Sequence, residues 1–479
     1  MCSMLSACSR LSSLTRVQPQ APSVTGPRRR LGTLPRRGIY VRISPSLEGL
    51  LALKAFHWPD EENPHLADCH LSFAPGEVFA AGDDEYRIER KLRGRMTSMV
   101  WLATHTNKRK PARDGPSFVA LEVFDSLFSA TLREDAKHNP DLRHIHSLKA
   151  RQNAGVPGSQ YCERAIRVSV GPHLCIAKEP CGPTLAALQE TQPHRSFALP
   201  VTKRIVRQTL LALSFVHTTM KRTHIGVNPH NISVALLGSK QDRTANIQAF
   251  LASNPPKMAY RSIWDRLRWW SSSEGVRGAA LEAQTLPAFG LAPSLDNLEV
   301  RLGRCEYATR DRALERLAAH EAMDGDGPFV AARNMLHAPP LLSAPEAIRG
   351  FTGPYSPPIN IWAVGHLLFQ CLTGEVVYTK RIERMGRDVA FPDFNEIYAL
   401  CDPRVLEKRL RSFAHVIVVV VVGGGGGGGN GGGGGGGAPG EMRERDVQAT
   451  CALLARCFDP DPAARPTAKQ LLKDEWFRS

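Results

Sequence analysis

The order in which hydrophobic patterns follow one another constrains this chain most. Between Tyr86 and Phe124, three short apolar and β-branched runs, YRIERKL, SMVWLATHT and SFVALEVF, are separated by turn residues, the signature of consecutive antiparallel strands. HLCIAKEP predicts one more. After Pro200 the period lengthens: Val201, Ile205, Val206, Leu210, Leu213 and Val216 recur as on one face of an amphipathic helix. INIWAVGHLLFQCLTGE is apolar on nearly all sides and predicts a buried helix. RDVQATCALLARCF predicts another, and DPDPAARPTAKQLLKDEWF a proline-capped turn before a short one. Strands first and helices later predict an α+β fold of two lobes, a small β-rich lobe and a larger helical one.

A chain of 479 residues with 42% hydrophobic content can bury a sizeable core. Residues 1–47 are assigned to a disordered basic tail or transit peptide, 48–85 to a partly extended lead-in, 86–180 to the first lobe and 181–479 to the second. LREDAKHNPDLRHIHSLKARQ has mixed helical character, interrupted at Pro140. The second lobe carries inserts at about 238–287 and 416–440. The first insert lacks periodicity and is expected to be irregular. The second holds fourteen glycines around Asn430, a flexible coil that cannot join a packed core.

The formal charge of +15 is concentrated at the start: no Asp or Glu precedes Glu48, while Arg10, Arg16, Arg28, Arg29, Arg30, Arg36, Arg37 and Arg42 do. A Ser- and Arg-rich, acid-free tail has the composition of an organellar transit peptide, and equally that of a basic arm with no address. PRRRLGTLPRR would suit nuclear import, but no aromatic residue interrupts it as base stacking would require, so nucleic acid is not an expected partner. The eleven cysteines are scattered and never spaced CxxC, which argues against a disulfide framework or zinc site and for a reducing compartment. The seven-residue run VIVVVVV ends at polyglycine, too short to span a bilayer. These features predict an intracellular protein, cytoplasmic or nuclear, or imported into mitochondria or another organelle if the tail is a transit peptide.

The pieces resemble a protein kinase, in particular the kinases specific for serine/arginine-rich proteins, from about Tyr86 to Phe477. RKLRGRMTSMVWLATHT is similar to the glycine-rich loop and following strand, and GPHLCIAKEPCGPTLAAL to the fifth strand and hinge. LPVTKRIVRQTLLALSFVHTTMKRTHIGVNPHNI resembles the long helix and catalytic loop. LLSAPEAIRGFTGPYSPPINIWAVGHLLFQCLTGE resembles the end of the activation segment with its helix, and LLARCFDPDPAARPTAKQLLKDEWF the closing helices. A spacer after the catalytic loop, where the first insert falls, is a habit of that family.

Phosphoryl transfer needs positioned phosphates, metal ions and a carboxylate that accepts the substrate's hydroxyl proton. The resemblance places Arg93, Arg95 and Ser98 at the three glycine positions, with Gly94 between them. Their bulk prevents a close backbone cradle, and the simpler expectation is an exposed basic hairpin. VALEVF puts Glu122 where the pattern VAIK has its lysine, and Arg93, Arg95 or His144 could pair with it. The lysine's usual helical glutamate has only Asp141 or His144 as counterpart. HIGVNPHN keeps His224, Pro229 and Asn231 of the family's HTDIKPEN, but has Gly226 for the base and Asn228 for the lysine. His230 follows the turn proline and should point away. The metal motif DFG is assigned to Ala288, Phe289 and Gly290, with the stretch ANIQAFLASNPP as the alternative, in either case without its carboxylate, and Asn231 alone is a poor magnesium site.

The scaffold residues persist. His224, Phe289, Gly290, Trp362 and Gly365 stand at family positions, and Glu346 of APE with Arg465 matches a pair that forms a buried salt bridge in that family. Asn360 replaces the aspartate that ties the following helix to the catalytic loop. Candidates for residual nucleotide contact are Gly94, Glu179, Cys181 and Asn231, and no metal ligand set remains.

The resulting expectation is a catalytically inactive pseudokinase that binds a protein partner, a related active kinase or its substrate, with no cofactor and no membrane contact. Two alternatives stand beside it. An ATP-dependent serine/threonine kinase with unorthodox residues would need ATP and magnesium, and a decaying duplicate would have no selected role.

Overall fold

In the computed structural model the alternating runs become one antiparallel sheet. The structure describes residues 71–257, 281–308, 344–348, 356–377, 401–422 and 442–478, short stretches inside the first two ranges excepted. The basic tail, most of the lead-in and the glycine run lie outside the described residues.

The first lobe comprises β1 (Val78–Ala81), β2 (Asp84–Arg95), β3 (Ser98–Asn107), β4 (Ser117–Phe124), α1 (Pro140–Asn153), β5 (Ala165–Val170) and β6 (Leu174–Lys178). The strand order is β1-β2-β3-β4-β6-β5, so part of the lead-in joins the sheet. Pro140 opens α1 instead of breaking a helix, since its missing N–H costs nothing in a first turn.

Alternation then decides what each sheet face buries. Met99, Trp101 and Ala103 of β3, Val119, Leu121 and Val123 of β4, and Cys175 and Ala177 of β6 form one cluster with Phe73 and Tyr86. The residues between them take the opposite face. There Phe124, Leu174 and Ile176 meet Leu142 and Ile145 of α1, and Leu92, Val100, Leu102 and Ala120 meet residues from the second lobe.

The second lobe continues with β7 (Cys181–Thr184), α2 (Leu185–Glu190), α3 (Leu199–Ser214), β8 (Ile232–Ala235), α4 (Lys240–Ser253), β9 (Val300–Leu302), α5 (Pro345–Ile348), α6 (Pro358–Thr373), α7 (Pro403–Val422), α8 (Glu444–Cys457) and α9 (Ala468–Leu471). Strands β7, β8 and β9 form a small antiparallel sheet. The core gathers around α3, α6 and α8. Alpha-carbon Gly365 of α6 lies so close to the end of α8 that an added Cβ would sit 2.8 Å from the Phe458 ring.

Two elements depart from expectation. The insert after the catalytic loop contains α4, whose start is fixed by a capping box between Ser239 and Asp242. Arg90 of β2 closes its other end by donating to the carbonyls of Leu251 at 3.1 Å and Asn254 at 2.8 Å, a cation at the negative helix end. Helix α7 runs through the valines at 416–422, which the sequence had placed in the second insert. No helix among the described residues is long and apolar enough to cross a membrane.

Candidate functional site

Where the two sheets face one another, the candidate site is built from β2, β3, β4 and β6 above and β8 and β9 below. Glu122 is buried, and it stands on the cleft face because its neighbours Leu121 and Val123 occupy the other. Lys178 of β6 lies on the same face, in phase with Leu174 and Ile176, and its Nζ is 2.6 Å from Glu122 Oε2. Ser98 Oγ donates to Glu122 Oε1 at 2.8 Å. Lys178, and not Arg93 or His144, is thus the base to which Glu122 is tied.

From Lys178 the network crosses to the second lobe. Its Nζ is 3.4 Å from Glu163 Oε2, and Glu163 Oε1 accepts from Ser233 Oγ of β8 at 2.8 Å. Arg93 donates to the same Ser233 oxygen at 3.3 Å and lies 3.8 Å from Glu163. The hairpin expected to be exposed therefore turns Arg93 into the cleft, while its ladder continues through Gly94↔Met99 to Arg95↔Ser98. Two carboxylates and two cations, Glu122, Glu163, Lys178 and Arg93, neutralise one another in this network. A buried ion pair contributes little net stability, but removing one partner leaves the other costly.

Beside the network the cleft is filled by apolar side chains. Leu92, Val100 and Ala120 form one cluster with Leu236, Ile247 of α4 and Leu286, with Phe250 and Phe289 packed against it. The backbone N–H of Gln284 donates to the Lys91 carbonyl at 2.8 Å, which holds this segment along β2. At the hinge, Glu179 is 2.5 Å from Arg243 of α4, Cys181 pairs with Ala235, and the Cα of Ala288 lies 3.3 Å from where a Gly182 Cβ would be. Of the hinge residues proposed for nucleotide contact, Glu179 is thus engaged by the insert and Cys181 by β8.

The catalytic-loop frame holds without its reactive groups. His224 Nε2 is hydrogen-bonded to the Gly303 carbonyl at 2.8 Å. Asn231 Nδ2 donates to the Gly226 carbonyl at 2.8 Å. Asn228 caps the turn Pro229–Asn231, its Oδ1 accepting from the N–H groups of His230 at 2.9 Å and Asn231 at 3.2 Å, the ordinary use of asparagine at such a position.

Asn360 replaces the tethering aspartate with a group that both accepts and donates. Its Oδ1 accepts from the His224 N–H at 3.0 Å and is hydrogen-bonded to His217 Nε2 at 2.8 Å, while Nδ2 donates to the His224 carbonyl. Burial holds the His217 imidazole below its ordinary pKa, against the opposing pull of the Asn360 hydrogen bond. Glu346 and Arg465 meet as a bidentate pair at 2.5 and 3.0 Å, with the guanidinium carbon 4.9 Å from the Trp362 ring centroid.

The assignment of the metal motif is corrected. Ala288, Phe289 and Gly290 lie by Gly182 and Leu237, with Gly182 itself beside Val234, toward the end of β8 away from Asn231. A magnesium ion bridging the two places is ruled out by the length of a four-residue strand, since ligands must stand about 2 Å from the ion. The segment that does adjoin Asn231 follows β9: the Gly303 N–H donates to the Asn231 carbonyl at 2.7 Å, and Arg304 and Cys305 come next. Arginine therefore stands where a metal-holding carboxylate would be needed. The Cys305 thiol is held well above its ordinary pKa by its hydrogen bond with Cys162 and by burial, so it offers no ready thiolate. Among the described residues no group of His, Cys, Asp and Glu could hold a metal ion.

Reading the sequence missed Lys178, Glu163 and Arg304. The first was signalled by phase, as the residue after Leu174 and Ile176 on a face that must be buried. Arg304 was signalled by the alternation of Leu298, Val300 and Leu302 before it, overlooked in favour of a Phe-Gly pair.

Residues 333–477 match the protein kinase domain family. The chain is 30% identical over 163 residues to the serine/threonine-protein kinase SRPK of Physarum polycephalum, covering 33% of this chain and 34% of that protein. It is 25% identical over 205 residues to protein kinase dsk1 of Schizosaccharomyces pombe, covering 42% and 34% respectively. With human SRSF protein kinase 3 it shares 26% over 189 residues, covering 39% and 31%. The matches thus span about a third of the length of these relatives. A solved kinase domain superposes with a TM-score of 0.45 at 15% identity, covering 86% of this chain and 99% of that one.

Proposed function

We propose that the chain, which matches the protein kinase domain family over residues 333–477 and resembles the SRPK kinases, is a pseudokinase, acting through protein contacts and not by phosphoryl transfer. The observation that carries this reading is Glu122, held by Lys178 at 2.6 Å in the place of the phosphate-binding lysine. A carboxylate there cannot attract the α- and β-phosphates as the family's lysine does, and it commits the neighbouring Lys178 to an ion pair.

The surrounding residues support the same conclusion. Leu286 and Ile247 pack against Val100 and Ala120, so a nucleotide base would have to displace docked chain. Gly226 supplies no base and Arg304 no metal ligand. Losses of groups that act together overlap instead of adding, and no route to the transition state is left. The Glu346–Arg465 pair and the Asn360 tether keep the helical lobe in its kinase form, which supports a role for the fold itself. The partner class that follows is a protein, a related active kinase or its substrate.

The test is transfer of labelled γ-phosphate from ATP with magnesium to a serine/arginine-rich peptide by the full chain. The proposal predicts background incorporation, unchanged in Glu122→Gln. Incorporation that rises with enzyme concentration and disappears in Arg304→Ala would overturn it.

A further inference from the structure

Outside the cleft, helix α1 and the segment leading into the catalytic loop enclose a cavity of about 470 Å³ lined by Arg143, His144, Ser147, Arg151, Thr219, Met220, Lys221 and Arg222. Arg143, Ser147 and Arg151 are four residues apart on α1 and so share one helix face. The opposite wall begins at the end of the π-helical turn Phe215–Thr219. There Lys221 adopts a left-handed backbone with φ of 55°, an unfavourable conformation for a side chain other than glycine. Arg222 is buried and donates to the Ala308 carbonyl at 2.9 Å, and His144 Nε2 is hydrogen-bonded to the Cys305 carbonyl at 2.9 Å.

Four permanent cations, Arg143, Arg151, Lys221 and Arg222, therefore border one cavity, and among the described residues no Asp or Glu lines it. Like charges gathered at a partly enclosed surface raise the local potential and attract anions. Arginine presents parallel N–H groups that fit phosphate oxygens in pairs; one Arg151 N–H donates to Ser147 Oγ, whose own O–H, with that of Thr219, supplies further donors. A phosphoryl group carries nearly two charges and three acceptor oxygens, against one charge and two oxygens for a carboxylate. We propose that this cavity binds a phosphate monoester dianion, as presented by a phosphorylated side chain of a protein partner. None of Glu122, Glu163, Lys178 and Arg93 lines it, so binding here requires no nucleotide in the cleft. The inference extends the protein-binding reading by naming the recognised group, and it can fail while the absence of phosphoryl transfer stands.

The experiment titrates the full chain with a short fluorescent phosphoserine peptide, with its unphosphorylated twin, and with inorganic phosphate as competitor. The phosphopeptide should bind about tenfold or more tightly than the twin, weaken with added salt, and fall to the twin's affinity in Arg151→Gln with Lys221→Gln. Both positions are at least partly exposed, and an unchanged thermal transition shows the variant to be folded. Displacement by inorganic phosphate would identify the phosphoryl group alone as the ligand, whereas phosphopeptide binding that phosphate does not displace would assign recognition to the phosphorylated peptide. Equal affinity for the two peptides, or no loss in the folded double variant, would overturn the proposal.

Discussion

Lysine at position 122 would restore the residue type that the resembled kinases carry, yet here it would face Lys178 across the 2.6 Å now spanned by an ion pair. Glu122→Lys is predicted to destabilise the protein by about 3–5 kcal/mol, read from urea unfolding. Glu122→Leu combined with Lys178→Met should cost less than the two single changes added together, and strict additivity would contradict the pairing. A second residue reports on pH. His366 is buried beside Trp362 and Phe458, and burial lowers its pKa to about 3. The unfolded chain, with an ordinary histidine pKa near 6.5, binds that proton first as pH falls. Stability is therefore full above pH ~6.5 and is lost toward pH ~3, by up to roughly 1.4 kcal/mol per pH unit. Unfolding measured between neutral pH and pH ~5 should show this slope in the wild type and a shallower one in His366→Leu. The loss of the lysine, base and helix-tethering aspartate was legible from motif positions alone. Their replacements' new roles were not, because a cap by Asn228 or an amide tether by Asn360 depends on neighbours that only folding brings together.

Helix α4 shows why elements differ in legibility. Strands β3 and β4 read as near-continuous apolar runs because both sheet faces are buried against distinct clusters. Helix α4 buries only Ile247 fully, so it has almost no apolar stripe and reads as irregular; its signal was the Ser239 to Asp242 capping box. The segment after it was assigned a catalytic motif through Phe289 and Gly290, whereas its packing role rests with Leu286. Leu286→Ala is predicted to cost about 2–5 kcal/mol in chemical unfolding of the full chain. A cost near zero would mean that this segment does not dock in the cleft in solution.

At the scale of the molecule, the order of strands and helices carried the two-lobed fold, since each lobe's periodicity follows from what its own elements bury. What joins the lobes was hidden: Lys178, Glu163, Ser233 and Arg93 come from four separate stretches, and no local pattern links them. Together with Leu286 and Ile247 they pack the cleft between the lobes, and on the proposed reading this leaves no room for a nucleotide. The measurement that tests this most directly is the thermal unfolding of the full chain with ATP, with and without magnesium. A ligand present at a hundredfold excess over its dissociation constant stabilises the folded state by about 2.7 kcal/mol, a shift easily resolved. The account predicts a single transition that neither ATP nor ATP with magnesium moves. A magnesium-dependent rise that saturates with ATP would show an open, nucleotide-binding cleft and contradict it.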